Sequence, residues 1–146
     1  MTTAHGTVVE IAGVGVLLRG PPGSGKSSLA LRLIDEPGYG LGAKSLKAVL
    51  VADDQFVLSK TAAGLKAQAP DILAGLLEIR GLGIVKLGYR VKAVLRLVVD
   101  LSPAATLARM PEPQDLTTEI LGVHLKRIML EASDPAATAK IRASLF

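Results

Sequence analysis

The sequence contains no cysteine and no tryptophan, and aromatics make up only 3% of its 146 residues. Missing thiols exclude disulfides and thiolate metal sites, and nothing points to an oxidising compartment. With no cysteine and only two histidines, His5 and His124, a transition-metal site is not expected. Scarce aromatics and the lack of any Lys/Arg block remove the usual means of gripping nucleic acid, so no nucleic-acid partner is expected. No apolar run approaches the roughly 18 residues of a membrane span. The start, Met1 to His5, lacks the basic-then-apolar pattern of a signal peptide. Cytoplasmic localisation, without a membrane partner, is therefore the expectation.

What is present is aliphatic. Hydrophobic residues account for 49% of the chain, so the core must be built of Leu, Val, Ile and Ala. The length favours one domain, residues 1–146, and suffices for a core without covalent staples. Seventeen basic against 13 acidic residues leave a net charge of +4. This mild excess suits ATP or an acidic protein partner. A mean hydropathy of +0.43 is compatible with self-assembly.

One stretch organises the rest. Gly20-Pro21-Pro22-Gly23-Ser24-Gly25-Lys26-Ser27 fits the phosphate-binding pattern G-x-x-x-x-G-K-[ST]. Such a loop must aim backbone N–H groups at phosphate oxygens and keep side chains away, which glycines permit. A helix start follows, at Lys26-Ser27-Ser28, and its free N–H groups favour an anion. Lys26 supplies a mobile positive charge for the β- and γ-phosphates. Ser27 offers a hydroxyl to Mg²⁺. The flanks agree: Val14–Leu18 reads as a buried strand, and Leu29, Ala30, Leu33 and Ile34 recur at helical spacing. Pro21 and Pro22 stiffen the first half of the loop and remove two donors, so that half is expected to cradle phosphate less fully.

Ahead of the loop, Thr7–Ile11 and Val14–Leu18 around Ala12-Gly13 suggest a hairpin. The helix after Lys26 should stop by Asp35-Glu36, before Pro37-Gly38. Strands are expected at Lys47–Ala52, Phe56–Ser59, Leu65–Ala69 and Val94–Asp100, with one helical turn at Asp71–Gly75. Leu76–Gly81 and Leu82–Leu87 follow as separate segments. The segment after Ser102-Pro103 reads as loop to Pro113. Thr118–Leu130 fits helix or strand equally. Asp134-Pro135 reads as an N-cap and first helical position, predicting a last helix over 136–145.

Two acidic features stand near the loop in this order. Asp53-Asp54 closes the first core strand after the P-loop helix, where such folds place a metal-reaching carboxylate. One acid can serve Mg²⁺ while its neighbour acts as a base toward an acceptor hydroxyl. Glu78 lies between Leu77 and Ile79, a costly position for a carboxylate unless it is paired or metal-bound. Arg80 is the bland partner, and composition leaves both readings open. His5 reads as an exposed tail histidine, and His124 as a surface residue.

Taken together, His5-Gly6 fifteen residues before Gly20, the hairpin, Val51-Ala-Asp-Asp54 and Glu78-Ile-Arg-Gly-Leu-Gly-Ile84 resemble the catalytic domain of the HPr kinase/phosphorylase family over roughly residues 4 to 100. The resemblance implies an α/β fold: a P-loop kinase core with a mixed β-sheet, related to phosphoenolpyruvate carboxykinase. It implies phosphorylation of a serine of HPr, the phosphocarrier of the sugar phosphotransferase system, with ATP and Mg²⁺ as cofactors. By position, Asp54 would be the general base, with Asp53 helping to hold metal or water. Lys26 would bind phosphates, Ser27 and Glu78 would ligate Mg²⁺, and His5 would lie close to Asp54. A homo-oligomer, of hexameric type, is implied as well. The chain begins at the catalytic domain, so the family's N-terminal regulatory domain is expected to be absent, as in the short form of some alphaproteobacteria. The family's C-terminal P-G-R-N stretch has no clear match here. Arg127 is the nearest candidate for its arginine, with Arg109 behind it, and phosphorylase activity is left open. Two other readings stand beside the kinase: a small-molecule kinase or NTPase, and a non-catalytic ATP-sensing module that binds a partner such as a sensor kinase.

Overall fold

Short Val- and Leu-rich runs separated by glycine turns favour strands over helices, and the computed structural model, which describes residues 1–146, has eleven strands and two α-helices. In chain order they are β1 (Thr2–His5), β2 (Thr7–Ile11), β3 (Val14–Arg19), α1 (Lys26–Asp35), β4 (Ala48–Ala52), β5 (Gln55–Thr61), β6 (Gly64–Gln68), β7 (Leu76–Ile79), β8 (Gly83–Lys86), β9 (Lys92–Leu101), β10 (Thr117–Ile120), β11 (Val123–Leu130) and α2 (Ala137–Ala143).

Nine strands form one mixed sheet whose main path is β1-β5-β6-β9-β3-β2-β4. The long β9 gives the sheet its curl. Its first residues, Lys92 to Val94, pair antiparallel with β6, and its second half pairs parallel with both β3 and β11. Where β3 meets β9 the register shifts at Gly15, and a Cβ on Gly15 would lie 2.4 Å from the Val94 carbonyl oxygen. Only glycine fits there. β10 pairs with β11, and β7 with β8 in a separate hairpin.

Strand alternation splits the apolar residues into two cores. Val16, Leu18, Leu97 and Val99 join Leu29, Leu33 and Ile141 beneath the two helices. Leu17, Val51, Phe56, Leu58, Leu65 and Val98 fill the inside of the curl. This explains why Val16–Leu18 of β3 and Leu97–Val99 of β9 read as continuous apolar runs: there both faces are covered.

One open alternative is settled and two expectations are revised. Thr118–Leu130 is a hairpin, turned by Leu121 and Gly122 at φ 49° and 79°. Two positive φ values in a two-residue loop are what the strand twist prefers, and the leucine in the first place hid the turn. The last helix is shorter than 136–145 and has Ala136, not Asp134, as its N-cap; Asp134 instead accepts the Ala136 N–H and pairs with Lys140. The N-terminus is no loose tail, since Thr2–His5 forms β1 against β5.

One buried cation joins the C-terminal helix to the P-loop helix. Arg142 is 2% exposed, and its guanidinium donates to the carbonyls of Leu33 and Glu36 at 2.8 and 2.9 Å and of Leu46 at 2.9 Å. The Leu33 and Glu36 carbonyls are free ones at the end of α1, where the helix dipole favours a positive charge, and the Leu46 carbonyl belongs to the loop before β4. The far end of the P-loop helix is thereby fixed, which keeps its N-terminus aimed at the site.

Candidate active site

β3 delivers the chain to Gly20 at the edge of the sheet. Pro21 to Ser24 then makes a tight turn: the Ser24 N–H donates to the Pro21 carbonyl at 3.1 Å, with Pro22 second and Gly23 third at φ 79°. That is the residue order of a type II turn. The two prolines therefore build the turn itself. Gly25, at φ 97°, is the N-cap of α1 and contributes no side-chain cap. The first N–H groups of the helix are left for an anion.

A cleft of about 570 Å³ opens over this helix start. Pro22, Gly23, Gly25, Lys26, Ser27 and Ser28 line it on the loop side. Gly20, Pro21 and Ser24 form the outer half of the loop and do not line the cleft. The proline half is thus divided, with Pro22 and Gly23 facing the cleft and Gly20 and Pro21 turned away from it. The Lys26 ammonium curls back to donate to the carbonyls of Gly20 and Pro21 at 2.8 and 3.1 Å. An ammonium has three donors, so one remains for a phosphate oxygen.

Asp53 and Asp54 also line the cleft. On an extended strand their side chains would point to opposite faces. The chain breaks that rule at Asp54, which has φ 68°; the Gln55 N–H donates to the Asp53 carbonyl at 2.8 Å across it. An i→i+2 bond around a positive φ is a tight, strained turn, and Asp is among the few non-glycine residues that tolerate it. The Gly6 N–H holds the Asp54 carbonyl at 3.1 Å. Both carboxylates thus reach one cleft with different surroundings. Oδ1 of Asp53 accepts from the Ser27 hydroxyl at 2.7 Å and the Thr7 hydroxyl at 3.0 Å, and its Oδ2 accepts from the Glu78 N–H at 3.1 Å. Asp54 is exposed, and its side chain makes no hydrogen bond.

Glu78 stands on β7 and completes the wall with Ile79 and Arg80. The expected cost of a carboxylate in apolar company does not arise: Leu77 turns inward, fully buried, and Glu78 turns outward, exposed. Nor does it pair with Arg80; none of the ion pairs involves either residue. Ser27, Asp53 and Glu78 therefore bring a hydroxyl and two carboxylates to one cleft. Hard oxygen donors of this kind suit Mg²⁺, which rests on one or two carboxylates and completes its shell with phosphates and water.

The remaining candidates lie outside the cleft lining. His5 is exposed at the end of β1, opposite Gln55 and so one residue from Asp54 in the ladder. Arg109 is exposed in the segment after β9, and His124 is exposed on β11. Arg127 is tied up elsewhere. Its Nε donates to Asp100 at 2.5 Å, and Arg19, the residue before Gly20, holds the same carboxylate at 2.8 and 2.9 Å. This trio braces the three parallel strands where they approach the P-loop.

Burial alone would raise the Asp100 pKa, but hydrogen bonds from Arg19 and Arg127, and then their charges, outweigh it and hold the carboxyl below 3.8. A depressed carboxyl contributes stability that is present above its unfolded pKa and lost as pH falls through the folded value. Asp100→Asn should therefore cost about 2 kcal/mol at pH 7, a part-exposed fraction of the loss seen for fully buried pairs. The gap to wild type should narrow in acid. Urea unfolding at pH 7 and pH 3 measures both, and a gap that stays constant would contradict the ion-pair account.

Thr7, Arg19, Asp100 and Arg142 were not singled out by the sequence. Only Thr7 had a local cue, its place directly after His5-Gly6.

Known proteins resemble this chain in sequence and in fold. Residues 1–143 match the family described as HPr Serine kinase C-terminal domain. The chain is 38% identical over 143 residues to the HPr kinase/phosphorylase of Bordetella pertussis, covering 90% of this chain and 43% of that protein. It is 34% identical over 140 residues to the HPr kinase/phosphorylase of Polaromonas naphthalenivorans, covering 89% and 42%. The chain thus spans less than half the length of these relatives. Among solved structures it is similar to the Hpr(Ser) kinase/phosphatase from Coxiella burnetii, with a TM-score of 0.78 at 24% identity, covering 99% of this chain and 88% of that one. The likeness shows the same mixed α/β fold with its curled sheet.

Proposed function

We propose that this chain, which belongs to the HPr serine kinase C-terminal domain family, transfers the γ-phosphoryl group of ATP to a serine of HPr or a related phosphocarrier protein. One observation carries the reading. The Asp53 carboxylate is joined to the P-loop Ser27 at 2.7 Å, while the neighbouring Asp54 carboxylate faces the same cleft without a hydrogen-bond partner.

The geometry supports the following roles. Backbone N–H groups of Gly25, Lys26 and Ser27, with the free donor of Lys26, hold the phosphates and orient the γ-phosphorus. Asp54 accepts the proton of the serine hydroxyl as its oxygen attacks that phosphorus in line, and the bond to the bridging β–γ oxygen breaks. Lys26 and the helix N-terminus stabilise the charge that collects on the departing diphosphate. Ser27, Asp53 and Glu78 would hold Mg²⁺, which when bound neutralises phosphate charge. Asp53 has its lone pairs largely engaged by three donors, so it is the poorer proton acceptor of the two.

Transfer to protein tests the reading. With γ-labelled ATP, Mg²⁺ and HPr from the same organism, label on HPr is the expected result. Turnover of ATP without protein label would favour a small-molecule acceptor. Binding without turnover would favour an ATP-sensing module.

A further inference from the structure

Thr7 lines the cleft and donates its hydroxyl to Asp53. It is 0% exposed, the first residue of β2, and directly opposite Leu18 in the β2–β3 ladder. Its hydroxyl has one recorded side-chain partner, Oδ1 of Asp53 at 3.0 Å, across 46 residues of sequence. A buried hydroxyl with a carboxylate partner is fixed in direction, because an ionised carboxylate can only accept.

The arithmetic of lone pairs gives Thr7 a task. Each carboxylate oxygen accepts about two hydrogen bonds. Oδ1 of Asp53 receives Thr7 and Ser27 and is saturated; Oδ2 receives only the Glu78 N–H and keeps one site open. Ser27 must donate its single proton to Asp53, so the lone pairs of its oxygen are left for the cleft. Remove the Thr7 donor, and Oδ1 has a vacant lone pair. The carboxylate can then turn about its Cβ–Cγ bond, and neither its open oxygen nor the Ser27 lone pairs stay aimed.

We propose that Thr7 is a positioning residue for metal-dependent phosphoryl transfer: its hydroxyl locks the Asp53 carboxylate so that one oxygen orients Ser27 and the other stays available to the cation. This rests on the kinase reading above. Thr7→Val keeps the shape and the β-branched strand preference while deleting the donor; Thr7→Ser keeps the donor.

The test compares wild type, Thr7→Val, Thr7→Ser and Thr7→Ala in two measurements. The first is titration of ADP with EDTA and then with increasing Mg²⁺. The second is kcat and KM for transfer. One hydrogen bond to a charged group corresponds to about tenfold or more. Thr7→Val should bind ADP within about twofold of wild type in EDTA, need about tenfold more Mg²⁺ for half-maximal enhancement, and lose about tenfold in kcat with little change in KM for ATP. Thr7→Ser should recover to within about threefold, and Thr7→Ala should behave as Thr7→Val. Should Thr7→Val fail to fold, Thr7→Ala carries the comparison. Wild-type Mg²⁺ dependence in Thr7→Val, or equal losses in Thr7→Val and Thr7→Ser, would overturn the Thr7 role while leaving the kinase reading intact. A wild type that binds ADP but transfers no phosphate to HPr would overturn the kinase reading on which this role rests.

Discussion

Replacing Asp54 with asparagine should lower transfer of phosphate to serine by about a thousandfold and leave ATP affinity within about twofold of wild type. The size follows from the role, since a positioned general base contributes roughly 10² to 10⁴ in rate. The selectivity follows from the structure. The Asp54 side chain holds no other group, whereas Asp53 holds Ser27, Thr7 and the backbone of Glu78. Asparagine is also the right replacement at φ 68°, because Asn tolerates the left-handed region nearly as well as Asp. An alanine there would add backbone strain of about 1–2 kcal/mol and blur the result. Single-turnover transfer with labelled ATP, beside titration of a fluorescent ATP analogue, gives both quantities. Undiminished transfer would remove Asp54 as the base. A parallel loss of ATP affinity would mean that the residue shapes the site instead of acting in it.

Lys26→Ala should act on the other quantity. It should weaken ATP binding by about a hundredfold, the loss expected for one or two hydrogen bonds made by a charged group in a sheltered cleft. Two effects combine in this variant. The phosphates lose their nearest cation, and the loop loses the bonds from the ammonium to the Gly20 and Pro21 carbonyls. Lys26→Arg should not restore binding, because a planar guanidinium cannot reproduce a compact three-donor head. Ligand-induced stabilisation offers a convenient readout: ATP raises the melting temperature of wild type by mass action, and that rise should vanish in the variant at the same ATP concentration. ATP affinity unchanged from wild type would refute the assignment of this loop as the phosphate cradle.

What could be read from the sequence was local. The phosphate-loop pattern spans eight consecutive residues, Gly20 to Ser27, so it could be read without knowing the fold. Asp53-Asp54 was legible because a strand must end where the apolar run Ala48–Ala52 ends. Glu78 shows the limit of adjacency: its neighbours in sequence are apolar, but residues i and i+1 of a strand face opposite ways, and β7 buries Leu77 while exposing Glu78. Arg127 shows the limit of counting arginines. Its partner Asp100 lies 27 residues away in sequence and on a neighbouring strand, and the pairing depends on a parallel register that no short motif encodes. Thr7 and Arg142 were hidden for the same reason, since their contacts cross 46 and up to 109 residues. The proline pair was visible but its purpose was not. Pro21 and Pro22 looked like lost donors, and in the fold they build the turn that sets Gly23 and Gly25 facing the cleft.

The most direct measurement is the mass of HPr after incubation with this chain, ATP and Mg²⁺, followed by fragmentation to locate any added phosphate. The proposed function predicts one added phosphoryl group on a serine, dependent on ATP and absent with the Asp54→Asn variant. HPr of unchanged mass, under conditions where the chain binds ATP with Mg²⁺, would contradict it.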